Sequence, residues 1–107
     1  MLTIDSDAEH ATFINAFRCR PEDQDEVVRI NIDIVEQVAR HHDGFISAAV
    51  HRSTDGTRVI NYLQWRSPRN LQTMQASAAF QQIASRFAGL IEFDPHEVTV
   101  AHLRTSE

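Results

Sequence analysis

The dipeptide Asp55-Gly56 narrows the fold more than any other feature of the chain. It stands between two segments of alternating pattern. Glycine takes positive φ without steric cost, so the chain is expected to fold back there as a tight β-hairpin of two antiparallel strands. Successive strand side chains point to opposite faces, which puts Val59, Asn61, Leu63 and Trp65 on one side of the second strand and Ile60, Tyr62 and Gln64 on the other. An amide and an indole would then share one wall, about 13 Å apart at ~3.3 Å per residue, a span suited to a planar aromatic oxyanion of two or three rings. The same pair also fits a plainer reading, with Trp65 in the core and Asn61 as a buried amide bonded to a neighbouring strand.

The rest of the chain supplies elements around this hairpin. Residues 11–19 alternate as a strand, with Phe13, Asn15 and Phe17 on one face. Pro21, followed by Glu22, Asp23, Asp25 and Glu26, opens a helix expected to run to about His42, because acidic side chains favour the positive end of the helix dipole. Val27, Ile30, Ile34 and Val38 form its apolar stripe, Val35 and Ala39 widen it, and Gly44 stops it. Residues 45–53 read as the second strand, with Phe45, Ser47, Ala49 and His51 on one side, and residues 58–67 as the third, ended by Pro68. A second helix is expected over about residues 69–93, with Leu71, Met74, Ala78, Ile83, Phe87 and Leu90 near one face. Gly89 is placed to bend or split it, and Asp94-Pro95 to close it. Residues 96–104 form the last strand. The order β-α-β-β-α-β is the split βαβ of a ferredoxin-like α+β fold, an antiparallel sheet with two helices on one face. Its uncovered face calls for a second copy, so a homodimer with a barrel-like centre is expected.

Length and charge bound what such a chain can do. With 107 residues and 42% hydrophobic content it is expected to form one domain over residues 11–107, preceded by a flexible segment at 1–10. A net charge of −5 with scattered arginines disfavours nucleic acid and anionic membranes as partners. No run approaches the roughly 18 apolar residues of a membrane span. Cys19 is alone and the N-terminus has no signal-peptide pattern, which reads as a cytoplasmic protein. His41 and His42 are adjacent on a helix end and cannot face one metal, so no metal site is expected.

The hairpin also carries a signature. His51, Ser53, Thr54, Asp55, Gly56, Thr57, Val59, Asn61, Tyr62, Gln64, Trp65 and Ser67, written H-x-S-x-D-G-T-x-V-x-N-Y-x-Q-W-x-S, together resemble the antibiotic biosynthesis monooxygenase family. The likeness is to the small actinomycete enzymes that oxidise aromatic polyketides, and the element order fits from about residue 11 to residue 104. The resemblance implies a monooxygenase that takes O2 as co-substrate and turns an anthrone-like or naphthacenone-like substrate into a quinone, with no metal, flavin or heme. Asn61 would donate to the developing oxyanion and Trp65 would stack on or orient the rings. Asn15 would hold a second substrate oxygen, and Leu63 would complete the wall. His51 is the candidate general base, the alternative being a strand-end histidine in solvent. Leu71 stands where those relatives carry a tyrosine, which puts a phenol relay in doubt. Arg86 is the nearest counterpart of an arginine on the second helix that could meet an acidic substrate tail; its alternative is a solvated helix residue.

Other functions stay open. Heme-degrading relatives use an Asn and a Trp on these strands with an axial His on the following helix, but this chain has no His from Arg52 through Pro95. A non-oxidative module that binds a small aromatic ligand, or a polyketide cyclase or isomerase, would use the same anion-stabilising pocket without consuming oxygen.

Overall fold

A computed structural model describes residues 10–106. The expected flexible segment, apart from His10, lies outside the described residues. The elements are β1 (Ala11–Arg18), α1 (Gln24–Gln37), β2 (Phe45–Arg52), β3 (Arg58–Trp65), α2 (Pro68–Gln75), α3 (Ala78–Ala84) and β4 (Glu92–Val98). Short 3-10 turns at Pro21–Asp23, Ala39–His41 and Ser85–Phe87 extend the helical segments. The sheet order is β2-β3-β1-β4 with every neighbouring pair antiparallel. This is the ferredoxin-like arrangement that the element order implies.

The strands carry their apolar side chains as period two requires. β1 buries Ala11, Phe13, Asn15 and Phe17 in alternation, and β3 buries Val59, Asn61, Leu63 and Trp65. Against this face lies α1, whose stripe of Val27, Ile30, Ile34 and Val38 is buried. Ile30 and Val27 are fully buried, each contributing about 1.5–3 kcal/mol of transfer free energy. The core falls into two clusters, one around Trp65, Leu71 and Met74 and one around Phe17, Val27, Val28 and Val59.

Several segments differ from expectation, the main ones for a local reason. The first helix ends at Gln37 and not His42, because Val38 leaves helical geometry (φ −128°, ψ −65°) while it and Ala39 stay buried. The second helix is broken at Ser77, whose extended backbone ends α2 and whose Oγ accepts from the Phe80 amide at the start of α3. Asp94-Pro95 lies inside β4 and closes no helix, so β4 runs Glu92–Val98 and not over residues 96–104. Proline is tolerated there because β4 is an edge strand, where a missing N–H need break no ladder. Finally, a register shift between Phe45 and Ser47 turns Phe45 toward Trp65 on the helix side while Ser47, Ala49 and His51 stay on the outer side opposite Gln64, Tyr62 and Ile60. The four do not share a face.

The hairpin is longer than a two-residue turn, with residues 53–57 linking the strands. Gly56 sits at φ +81°, and Asp55 accepts from the Thr57 amide at 3.0 Å, the Thr57 hydroxyl at 2.7 Å and the Ser53 hydroxyl at 2.8 Å. Those bonds, the Thr57 amide first, hold the Asp55 carboxyl at a pKa of about 2. Gln24 ties the hairpin to α1 by donating to the Ser53 and Arg58 carbonyls, both at 3.0 Å.

Candidate active site

Between the sheet and the helices lies a cavity of about 240 Å³. β1 lends it Asn15 and Phe17, β3 lends Asn61, Leu63 and Trp65, and α1 lends Asn31, Ile34 and Val35. Leu71 and Met74 of α2, Phe80 of α3 and Phe93 of β4 close it. Residues of both core clusters meet here, so the wall is apolar apart from a few amides and the indole N–H. No acidic, basic or histidine side chain lines it among the described residues.

The polar atoms form a short chain. Asn31 donates through Nδ2 to the Val27 carbonyl at 3.0 Å, and its Oδ1 accepts from Nδ2 of Asn61 at 3.0 Å. Asn61 Oδ1 and Trp65 Nε1 are buried with no hydrogen-bond partner. An unmatched buried polar atom costs about 1–3 kcal/mol, so two on one cavity wall make this cavity the candidate site. Asn15 stands directly across the ladder from Asn61, and its Oδ1 accepts from the His96 amide at 3.3 Å.

Five of the expected site residues thus meet at one cavity: Asn15, Asn61, Leu63, Trp65 and Leu71. Two do not. His51 lies on the outer sheet face opposite Ile60, exposed, with its Nδ1 3.1 Å from the Ile60 carbonyl. One residue of strand parity separates it from the cavity side, so it cannot serve there as a base within its own chain. Arg86 turns away from the cavity to Asp33 at 2.8 Å and Glu26 at 3.2 Å on α1. Asn61 gives one Nδ2 hydrogen to Asn31, and its acceptor Oδ1 has no partner. The Trp65 N–H is a donor without a partner.

Asn31 was not among the expected site residues. Its signal lies in the sequence: an amide four residues after Val27 and next to Ile30, inside the apolar stripe of α1. Cys19 lies off the cavity, and burial, with help from Asp23, raises its thiol pKa and keeps it protonated. Neither α2 nor α3 carries a histidine, so the axial ligand of a heme is missing from both. Among the described residues no three His, Cys, Asp or Glu side chains gather to hold a metal, and no helix is long and apolar enough to cross a membrane.

Fold and cavity together define a ferredoxin-like α+β domain with an apolar, amide-bearing pocket under its helices. Residues 11–86 match the antibiotic biosynthesis monooxygenase family, and the chain belongs to it. It is 38% identical over 81 residues to the tetracenomycin-F1 monooxygenase of Streptomyces glaucescens, a match covering 76% of this chain and 72% of that protein. Among solved structures, an anthrone oxidase-like protein superposes with a TM-score of 0.81 at 26% identity over 92% of this chain. That match takes in 42% of the other chain, so this protein spans less than half its length. SnoaB, a cofactor-independent oxygenase from Streptomyces nogalater, superposes with a TM-score of 0.69 over 90% of this chain and 97% of its own, at 19% identity, a likeness of fold.

Proposed function

We propose that this monooxygenase works without metal, flavin or heme and oxidises an aromatic polyketide-like phenol or anthrone to a quinone with O2. The observation that carries the reading is the pair of buried, unpartnered polar atoms, Asn61 Oδ1 and Trp65 Nε1, on an otherwise apolar cavity wall. The substrate supplies the electrons. A ring CH2 conjugated through the fused rings to the carbonyl opposite it loses a proton, and the resulting anion passes one electron to O2. The radical and superoxide join as a peroxide, which loses water and leaves a carbonyl in place of the CH2. One oxygen atom enters the product and the other leaves as water.

The protein's task in this scheme is to stabilise the anion. The Trp65 N–H donates to the oxyanion, and the surrounding apolar wall lowers the local dielectric and so strengthens that bond. Asn61 and Asn15 take further polar groups of the substrate, while Leu63 and Leu71 pack on its rings. With no titratable side chain on the described wall, the C–H proton passes to water and not to His51. The same lack favours a second reading, a non-oxidative aromatic-binding protein or cyclase. The outer sheet face, where Ile14 is 38% exposed beside half-buried Ile60 and Tyr62, covers itself with a second copy in a homodimer, which sedimentation would register.

The deciding experiment follows oxygen uptake and quinone absorbance on adding anthrone to metal-free protein, beside Asn61→Ala and Trp65→Phe. Uptake well above autoxidation and largely lost in the variants supports the oxidative reading. Uptake no faster than in buffer, with saturable quenching of Trp65 fluorescence, rejects it in favour of binding.

A further inference from the structure

The hydrogen bonds leading to Asn61 have a direction, and the backbone sets it. The Val27 carbonyl can only accept, so the end of the Asn31 amide facing it is Nδ2, at 3.0 Å. That turns Asn31 Oδ1 toward Asn61, where only an N–H can meet it, and Asn61 Nδ2 does so at 3.0 Å. Flipping Asn61 alone sets two carbonyl oxygens face to face. Flipping both amides sets Asn31 Oδ1 against the Val27 oxygen. One orientation is therefore held, and it leaves Asn61 Oδ1, an acceptor, without a partner. Farther along the same strand face, Trp65 leaves a donor, Nε1–H, without one.

We propose that Asn31 is a positioning residue that fixes the Asn61 amide with its acceptor Oδ1 free, so that the cavity selects aromatic ligands with a free hydroxyl for that oxygen and an oxygen acceptor for Trp65. The inference rests on the cavity being the ligand site of the function proposed above, and not on oxidation taking place there. Methylating the hydroxyl removes the hydrogen and sets an ether oxygen against Asn61 Oδ1, lone pair to lone pair. Replacing Asn31 by leucine removes the lock and frees Asn61 to turn its amide nitrogen to an ether. An aspartic acid at the same place, kept neutral by burial, restores the lock, since its O–H donates to the Val27 carbonyl and its C=O accepts from Asn61.

The test compares 2-hydroxyanthraquinone with 2-methoxyanthraquinone by equilibrium dialysis, in slightly acidic buffer so that the hydroxyl stays protonated. The full chain, Asn31→Leu and Asn31→Asp are measured. The unmodified protein is expected to prefer the hydroxyl compound about tenfold, the effect of one buried hydrogen bond. Asn31→Asp keeps that preference and Asn31→Leu lowers it to less than about threefold. A role in packing alone weakens both compounds in step and leaves their ratio unchanged. Should Asn31→Leu fail to fold, Asn31→Ser takes its place with the same expected loss, because a helical serine bonds back to the Val27 carbonyl and is too short to hold Asn61. The proposal is overturned by no preference in the unmodified protein, by an unchanged ratio in the folded Leu or Ser variant, or by a lost preference in folded Asn31→Asp. Failure of anthrone oxidation leaves this ratio untouched and rejects only the oxidative reading.

Discussion

Replacing Trp65 by phenylalanine separates stability from activity. Trp65 is fully buried and meets Phe45 edge-on, with ring centroids 5.4 Å apart and planes at 81°. A phenyl ring keeps much of that contact, so the change chiefly removes the pyrrole part of the indole. The space it leaves costs on the order of 1 kcal/mol at ~24 cal/mol per Å³. Against this, the variant no longer buries an unmatched N–H, which returns about 1–3 kcal/mol. The two effects sum to a stability unchanged or raised by up to about 2 kcal/mol, unlike the several kcal/mol usually lost when a buried aromatic is trimmed. In activity the sign reverses, because losing one preorganised donor to an oxyanion lowers kcat by about 10²–10³-fold. Thermal unfolding followed by circular dichroism and anthrone-dependent oxygen uptake read the two sides. A Tm lower by more than about 8 °C, some 1 kcal/mol or more in a domain of this size, would show that the indole N–H is matched in the folded protein. Undiminished uptake in a folded variant would remove Trp65 from the chemistry.

Other predictions follow from particular contacts. Asp55 titrates at about 2 and not near its ordinary 3.8, so its contribution to the hairpin is present above the ordinary value and is lost as pH falls toward 2. NMR titration of its carboxyl checks this, and a midpoint near 3.8 refutes it; Asp55→Asn should abolish the step. Gly44→Ala places a Cβ at φ +84°, in collision with the Asn70 side chain, and is expected to cost about 2 kcal/mol or more, read as a lowered Tm. Arg86→Ala removes a solvent-screened cation from Asp33 and Glu26 and should leave KM and kcat within about twofold, since the side chain is turned away from the cavity. His51→Ala should likewise leave oxygen uptake within about twofold, since the side chain faces away from the cavity.

Period two in β1 and β3 and the spacing of Val27, Ile30, Ile34 and Val38 made the sheet and its first helix legible, because those patterns report directly which face is buried. The misreadings fall where a single local event overrides a pattern. The shift between Phe45 and Ser47 changes parity along β2, and nothing in the alternation of that segment announces it. Ser77 is an ordinary polar residue in a helical run until its hydroxyl caps the next helix. Asp94-Pro95 is a strong stop signal in a helix or a central strand, yet harmless on an edge, and which strand is the edge is a property of the whole topology.

The site was legible to a different degree. Asn15, Asn61 and Trp65 stand on strand faces whose parity fixes their side of the sheet, so local pattern alone brings them to one wall. What no pattern supplies is the partner of each polar atom. Asn61 looks like a donor when considered alone, since an amide has both kinds of group and an oxyanion needs the donor. Only when α1 crosses the sheet does Asn31 claim an Nδ2 hydrogen, and only because Val27 offers a carbonyl one turn earlier is Asn31 itself oriented. The orientation of the Asn61 amide thus originates in a backbone oxygen of α1 and passes through the Asn31 side chain. An amide inside an apolar helical stripe is where such a relay enters a sequence, and here that residue is Asn31.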